Sequence, residues 1–310
     1  MSPADFTITR PLRPGPMGQR WLALHKQRNT SHTLHRPNLD PAHLAPAHLA
    51  PAHLAPAHLT PAHQPTTYHR ALARLQALTH PHILAVQAFG VDADGPWAAT
   101  DYTGDADGIV TLDSLLTAKG ASLSLEEARR TLEQLLDAAR AAHRAGLAHA
   151  TLTMDQVHVE RNGALRIEFY ALRRLLAAAA FAPHQLDTPI ETPAPTHSTA
   201  YLAAHSPASA SATTAAAALA ADQREEVRSA LRIAYQLVTG LAPIEPLIPV
   251  EEMVEHIDES WPALFETGLG PTGFTSAAHA WSAAHACRIG RERPWAIGPA
   301  RYLLTPRPRA

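Results

Sequence analysis

The sequence predicts an α+β fold in which a strand-rich first third precedes a mostly helical remainder. Residues 83–102 alternate between apolar and polar side chains around a turn signal at 92–95, a pattern typical of two antiparallel strands. Further along, residues 125–142 repeat apolar side chains at helical spacing, which predicts a long amphipathic helix. We therefore expect a strand-rich part with a small antiparallel sheet and one helix in residues 1–101, followed by a larger, mostly helical part in residues 102–310.

Composition and charge narrow the class of protein. The chain has 310 residues, of which 46% are hydrophobic and 17% charged, so it can bury a sizeable core. Its formal net charge of −2 gives no electrostatic drive toward nucleic acid or anionic lipid. Cys287 is the single cysteine, which excludes an intrachain disulfide and a cysteine-based zinc site. Without a signal-peptide pattern or a long apolar stretch, we expect a cytoplasmic protein that binds neither nucleic acid nor membrane.

Residues 41–63 repeat a five-residue unit, PAHLA PAHLA PAHLA PAHLT PAHQ. A proline in every unit excludes a helix, and the period is too short for a solenoid. We expect a disordered insertion over residues 38–66 within the strand-rich part of the chain. Its five histidines could gather a transition metal loosely, but no interleaved carboxylate or cysteine fixes a coordination geometry. A plain expansion of a surface loop is the favoured interpretation.

Two helices have clear sequence signals. The first is a short amphipathic helix over residues 68–79, whose apolar stripe consists of Leu72, Leu75 and Leu78. The second is the long helix, which begins at Ser124, because Ser124 and Glu127 have the spacing of a capping box. Gly146 is the predicted end of that helix.

A hairpin and an irregular segment follow the long helix. The valines of residues 157–159 face the apolar residues of 165–167 across Asn162-Gly163, a strong signal for a two-residue hairpin turn. Residues 175–221 are rich in Ala, Pro, Thr, Ser and His, and they are predicted to be largely irregular.

The end of the chain completes the order of elements. Residues 225–239 rebuild a helical stripe that Gly240 closes, and the weaker pattern beyond predicts several short helices. The predicted order is therefore a strand-rich part with one helix, then a linker near Tyr102, and then a helical part with a small hairpin. This order resembles a bilobal protein kinase, specifically the eukaryotic-like (Hanks-type) serine/threonine kinases of bacteria.

Several strings of the sequence carry this resemblance. LRPGPMGQRWLA at residues 12–23 is similar to the glycine-rich loop, whose backbone amides cover nucleotide phosphates. HPHI at residues 80–83 is similar to the link after helix C, and PWAATDYTG at residues 96–104 to the hinge, with Thr100 at the gatekeeper position. Later matches follow the family's order: residues 141–159 with helix E and the catalytic loop, 198–206 with the end of the activation segment, 224–240 with helix F, and 291–294 with the arginine-proline near the domain end.

The resemblance implies a nucleotide cleft formed by five residues: Gly15, Gly18, Arg20, Thr100 and Tyr102. Two glycines of the glycine-rich loop remain, but Arg13 replaces the first, and prolines in the loop remove amide donors. Arg20 takes the place of a small apolar residue that contacts adenine. We expect this long cation either to plug the pocket or to extend out of it.

The catalytic positions depart from the family pattern. The lysine of the third strand falls at His35, and its glutamate partner falls at Ala71. Imidazole is a poor replacement for a permanent ammonium group. The base aspartate falls at Thr151 and the loop lysine at Thr153. A hydroxyl group does not accept a proton as a carboxylate does, so these positions predict impaired phosphoryl transfer.

The metal-binding positions are altered as well. Gln156 stands where the resemblance implies an asparagine, and Glu168-Phe169-Tyr170 stands where it implies Asp-Phe-Gly. Glutamate could still hold a metal, whereas Tyr170 removes a flexible glycine. Asp155 is a weak candidate for a substitute base. ATP and Mg²⁺ are expected only if residual binding survives, and no other cofactor is expected.

The positions that only pack are largely kept, among them Leu75, His149, Phe169 and the charged Glu226. This combination predicts a pseudokinase, a catalytically impaired protein that works by binding a protein partner in signalling, for example another kinase. The alternative is an active serine/threonine kinase that uses Glu168 and Gln156 for the metal and Lys26 or an arginine at the phosphates. A third alternative is a histidine-rich, metal-sequestering protein.

Overall fold

The computed structural model describes residues 3–39, 66–149, 151–181 and 207–289. This part of the chain is a mixture of α-helices and a small antiparallel sheet, so the predicted α+β class is confirmed. Four predicted features lie wholly or mainly outside the described residues: the repeat at 41–63, the insertion at 38–66, the segment at 198–206 and the motif at 291–294. Within the described ranges, none of the helices combines the length and apolar character needed to cross a membrane.

The main sheet has five antiparallel strands: β1 (Phe6–Gly15), β2 (Gly18–His25), β3 (Ser31–Pro37), β4 (Val86–Asp92) and β5 (Gly95–Asp101). Their spatial order is β1-β2-β3-β5-β4. The antiparallel pair predicted within residues 83–102 is confirmed, because β4 and β5 pair in register and Asp92 faces Gly95 across the turn. In the same way Gly15 faces Gly18, so the glycine-containing string of residues 12–23 forms a tight hairpin.

One helix packs on the main sheet. α1 (Thr67–Gln76) contacts β4, and its predicted leucine stripe is confirmed, since Leu72, Leu75 and the following Leu78 are all buried. Thr66 caps the helix by accepting a hydrogen bond from the His69 amide. A second apolar cluster, built on Phe6 and Trp97, packs separately from this core.

The remaining helices are α2 (Leu112–Ala118), α3 (Leu125–Arg144), α4 (Leu172–Phe181), α5 (Pro207–Thr239), α6 (Val250–Met253), α7 (Ser260–Leu269) and α8 (Ala277–Ala286). α3 packs against both α5 and α8 and forms the centre of this part of the molecule. Its predicted capping box is confirmed, because the side chains of Ser124 and Glu127 each bind the other's backbone amide. The chain leaves α3 through Gly146, whose φ is 66°.

Replacing Ser124 with alanine removes the acceptor at the start of α3. We expect the free energy of unfolding to fall by about 1 kcal/mol, as measured by urea denaturation. Ser282→Ala is the matched control, because Ser282 is exposed within α8 and caps no helix. Equal losses in the two variants would contradict the assignment of Ser124 as a stabilising cap.

The second sheet is the hairpin of β6 (Val157–Val159) and β7 (Leu165–Ile167). The predicted facing of the two strands is confirmed by their register. The turn itself is longer than the predicted two residues. The Gly163 amide donates to the Glu160 carbonyl, and Gly163 adopts a φ of 80°, so a turn is followed by one left-handed residue.

The prediction of irregular structure over residues 175–221 is wrong for the described part of that segment. α4 extends through residues 172–181, and α5 begins at Pro207, well before the predicted start at 225. Residues 215–221 are six alanines and one leucine, and alanine has the highest helix propensity of all residues. Proline is also well tolerated in the first turn of a helix.

Candidate functional site

Five polar side chains meet where the main sheet faces the β6–β7 hairpin: Arg20 of β2, His35 of β3, Thr100 of β5, His158 of β6 and Glu168, the residue after β7. We call this group the buried cluster, because none of its members is more than 5% exposed. Arg20 and His35 are paired across β2 and β3, which puts their side chains on the same face of the sheet. The β6–β7 register brings His158 and Glu168 to the same end of the hairpin.

The Glu168 carboxylate is the centre of the buried cluster. Its Oε1 lies 3.0 Å from His35 Nδ1, and its Oε2 lies 3.4 Å from Arg20 Nη1 and 3.5 Å from His158 Nε2. His35 continues the network, with Nε2 2.9 Å from the Thr100 hydroxyl. Four strands, β2, β3, β5 and β6, and the end of β7 are thus joined through one carboxylate and its partners.

The charges within the buried cluster follow from burial and hydrogen bonding. Burial alone would raise the pKa of Glu168, but its close contacts with His158 and His35 hold that pKa well below its ordinary value. Burial lowers the pKa of His35, and the opposing effect of Glu168 is smaller. The cluster therefore holds an ionised Glu168 against the permanent charge of Arg20. A neutral His35 donates from Nδ1 to Glu168 and accepts at Nε2 from Thr100.

The β1–β2 turn closes over the Arg20 side chain. A Cβ added at Gly15 would lie 2.2 Å from Arg20 Nε, so only glycine leaves room for the guanidinium here. Gly18 has a φ of 139°, and an added Cβ would lie 2.4 Å from the Arg36 carbonyl oxygen. From the other side, Arg173 of α4 donates to the Pro16 carbonyl at 2.5 Å. The two glycines therefore shape a turn that covers Arg20.

Two residues implied for the cleft or its ion pair lie apart from the cluster. The Tyr102 hydroxyl donates to the Asp105 carbonyl at 2.6 Å and lies 3.4 Å from Arg10 Nη2. Ala71 is fully buried in α1, and its methyl group gives His35 no charged partner. Lys26 is also remote, because it follows β2 on an exposed turn and donates to the Ala4 carbonyl.

The implied catalytic loop immediately precedes β6. Thr151 and Thr153 are both exposed. The Gln156 amide oxygen accepts hydrogen bonds from the Thr153 amide at 3.1 Å and from the Thr153 hydroxyl at 2.8 Å, so it caps a single 3₁₀ turn. Asp155 is exposed and accepts from the Thr153 hydroxyl. Among the described residues, no group of three or more His, Cys, Asp or Glu side chains is arranged to hold a metal ion.

A buried carboxylate anchors the segment that precedes this loop. Glu226 of α5 accepts a hydrogen bond from the His149 amide at 2.8 Å. It also accepts from His143 Nε2 at 3.0 Å and from the Tyr170 hydroxyl. Burial, followed by the negative charge of Glu226, raises the pKa of Tyr170 well above its ordinary value. Tyr170 therefore acts as a hydrogen-bond donor that ties the segment after β7 to α5.

Left-handed backbone marks the segment after Glu168. Phe169 and Ala171 have φ values of 44° and 61°, although neither is glycine. Tyr170, which stands at the glycine position implied by the resemblance, is not among the residues of positive φ. Tyr170 thus has left-handed residues on either side, a conformation held in place by its buried side chain.

The pH dependence of stability provides a test of the His149 environment. Burial lowers the pKa of His149, and the opposing charge of Glu226 offsets only part of this effect. As the pH falls, the unfolded chain therefore binds a proton at His149 before the folded chain does. The free energy of unfolding decreases as pH falls below about 6.5, by up to about 1.4 kcal/mol per pH unit. We expect urea denaturation between about pH 7 and pH 5 to give a shallower decline for His149→Phe. The exposed His279→Gln control should follow the parent chain, and an unchanged slope in His149→Phe would contradict this account.

A cavity of about 250 Å³ borders the end of β5 and the residues that follow it. It is lined by residues such as Ile83, Leu84, Asp101, Tyr102 and Arg166. None of the buried cluster's side chains lines this cavity. The cavity and the buried cluster are therefore separate features.

Sequence reasoning located four members of the buried cluster: Arg20, His35, Thr100 and Glu168. It missed His158, whose Nδ1 lies 2.9 Å from the Thr103 hydroxyl, and Arg173, which holds the β1–β2 turn. A signal for His158 was present, because alternation along Val157–Val159 turns the middle side chain to the opposite face. No comparable local signal pointed to Arg173.

No protein-family model matches this chain, and no curated protein matches it either. The residues of the site alone therefore carry the functional conclusion.

Proposed function

We propose that this chain is a catalytically impaired, bilobal protein-kinase-like molecule that acts by binding a protein partner in signalling. The order of elements supports the proposal: a five-stranded antiparallel sheet with α1, a linker after β5, and then helices with a small hairpin. The HPHI segment adds support, because the His82 carbonyl accepts from the Ile167 amide at 2.9 Å and so joins this segment to β7. The buried Glu226, which holds the His149 amide, is compatible with the helix F anchor implied by the resemblance.

The observation that carries the proposal is the ion pair of Arg20 and Glu168 inside the buried cluster. In a working kinase, cations and metal ions surround the phosphates of ATP, and a carboxylate holds the metal. In this chain the carboxylate of Glu168 already faces the chain's own guanidinium. Both groups are almost wholly buried, and breaking the pair would leave a charge without a partner.

The residues present do not fit a magnesium site. Glu168 is shared among Arg20, His35 and His158, and the Gln156 amide oxygen is turned to Thr153. Hard cations such as Mg²⁺ require oxygen ligands in near-octahedral geometry. Glu168 supplies the only carboxylate of the buried cluster, and the guanidinium and two imidazoles around it oppose such a site.

The alternative, an active kinase with rearranged groups, has less support. Lys26 is engaged at the Ala4 carbonyl and is remote from Glu168. Arg20 is the cation nearest to that carboxylate, yet it lies against Glu168 itself and not around a free space. An active site would require Arg20 to leave the buried cluster.

A phosphate-transfer assay tests the proposed function. The full chain, labelled ATP, Mg²⁺ or Mn²⁺ and a generic protein substrate are incubated together, and incorporation into substrate and chain is measured. We expect no incorporation above that of a reaction without the chain, either in the parent or in an Asp155→Asn variant, which changes only an exposed side chain. Transfer by the parent chain above that background would support the active-kinase alternative and contradict the proposal, and its loss in Asp155→Asn would identify Asp155 as the base.

A further inference from the structure

The loop between α5 and α6 exposes three large aliphatic side chains. Leu241, Ile244 and Ile248 are 45%, 75% and 42% exposed, and they fall within eight residues of one another. The loop is anchored at its end, because the Tyr235 hydroxyl donates to the Ile248 carbonyl at 2.7 Å. Clustered exposed aliphatic residues on a monomer are typical of a surface that binds another molecule or segment.

Acidic residues surround this loop. Residues 241–287 contain seven carboxylates and neither lysine nor arginine. Six of these carboxylates are exposed: Glu245, Glu251, Glu252, Glu255, Glu259 and Glu266. Within the described ranges, none of the six lies at ion-pair distance from a basic side chain. We call the loop of residues 241–248 together with the exposed carboxylates of α6 the acidic apolar surface.

The segment that follows α8 has the complementary composition. Residues 290–310 contain five arginines and one glutamate. Between these charges lie large apolar side chains: Trp295, Ile297, Tyr302, Leu303 and Leu304. This segment can therefore supply both the positive charge and the apolar area that the acidic apolar surface lacks.

The point where the chain leaves the described residues lies beside the start of α7. Trp261 Nε1 donates to the Arg288 carbonyl at 3.1 Å, and the Arg288 amide donates to Ser260 Oγ at 3.0 Å. Ser260 begins α7, and α7 packs against α6. An extended chain advances about 3.3 Å per residue, so residues 290–310 can reach across α6 to the exposed loop.

We propose that residues 290–310 dock on the acidic apolar surface of their own chain. The arginines face the carboxylates of α6, and the apolar residues cover Leu241, Ile244 and Ile248. A basic, apolar segment of a partner would compete for the same surface. This inference is independent of the proposed function, since it uses none of the residues of the buried cluster.

Limited trypsin digestion of the full chain tests the docking. Cleavage after Arg301 is followed by the mass of the released peptide, at low and at high salt, and at several protein concentrations. When docking and undocking are fast relative to proteolysis, the cleavage rate is proportional to the population of the undocked segment. Two variants remove the surface without touching the tail: Ile244→Ser, and Glu251→Gln combined with Glu252→Gln. The matched controls are Ile8→Ser, at a residue 55% exposed on β1, and Asp107→Asn combined with Asp113→Asn.

We expect cleavage after Arg301 to be about tenfold faster in both surface variants than in the parent chain at low salt, because docking is lost. The controls should match the parent. High salt should accelerate cleavage of the parent toward that of the charge variant, since exposed ion pairs are screened. Equal rates in the parent and both surface variants would overturn the proposal. Protection that grows with protein concentration would also overturn it, because the occupant would then be a second copy.

Discussion

Replacing Glu168 with glutamine is expected to lower the free energy of unfolding by about 3–5 kcal/mol. The change keeps the shape of the side chain but leaves the Arg20 guanidinium buried without an opposite charge. It also weakens the hydrogen bond that His35 donates to the carboxylate. Urea denaturation with linear extrapolation measures the loss.

A double variant supplies the control for this prediction. Arg20→Met combined with Glu168→Gln removes both charges, and buried ion pairs are often replaced by apolar groups at little cost. We expect the double variant to recover most of the stability that Glu168→Gln loses. If the stability losses of the single variants Arg20→Met and Glu168→Gln simply add in the double variant, Arg20 and Glu168 are not energetically coupled.

Replacing Glu226 with alanine is expected to cost about 3–5 kcal/mol as well, since three buried or half-buried donors lose their common acceptor. These donors are the His149 amide, His143 Nε2 and the Tyr170 hydroxyl. Thermal and urea denaturation measure the effect. Glu225→Ala is the matched control on the preceding residue, where the side chain makes partly exposed ion pairs with Arg232 and Arg228. Pairs of this kind contribute about 0–1 kcal/mol, so similar losses in the two variants would contradict the anchoring role of Glu226.

The parts of the fold that the sequence predicts well are those with local signals. α3 was predicted from its capping box and its stripe, and β4 and β5 from alternation around a short turn. The prediction for α5 starts too late, because low-complexity composition is typical of loops, whereas alanine favours helix wherever nothing breaks it. The three-residue turn after β6 depends on which residue becomes left-handed, which Asn-Gly alone does not determine.

The sequence indicated individual residues of the candidate site but not the contacts between them. The resemblance pointed to Arg20, His35 and Glu168 one at a time, as departures from a pattern. Their meeting depends on the β2–β3 register and on the packing of the hairpin against the sheet, which are contacts between residues far apart in sequence. Local rules carry no information about such contacts, so the identity of Arg20 as the partner of Glu168 required the three-dimensional structure.

The buried cluster also has a structural consequence. It connects β2 and β3 of the main sheet with the hairpin through charged and hydrogen-bonded groups that tolerate little displacement. Arg173 adds a second link, from α4 to the β1–β2 turn. The main sheet is thereby connected to the hairpin and to α4 by polar contacts.

The most direct test of the central claim is the melting temperature of the full chain with and without ATP and Mg²⁺. A ligand that binds only the folded state stabilises it by about 2.7 kcal/mol when its concentration is 100 times the dissociation constant. Because Arg20 and Glu168 are buried against each other, we predict no change in melting temperature at any ATP concentration, in the parent chain or in the Asp155→Asn variant. A melting temperature that rises and saturates with ATP would contradict the account, because it would show that the folded chain binds nucleotide despite the buried cluster.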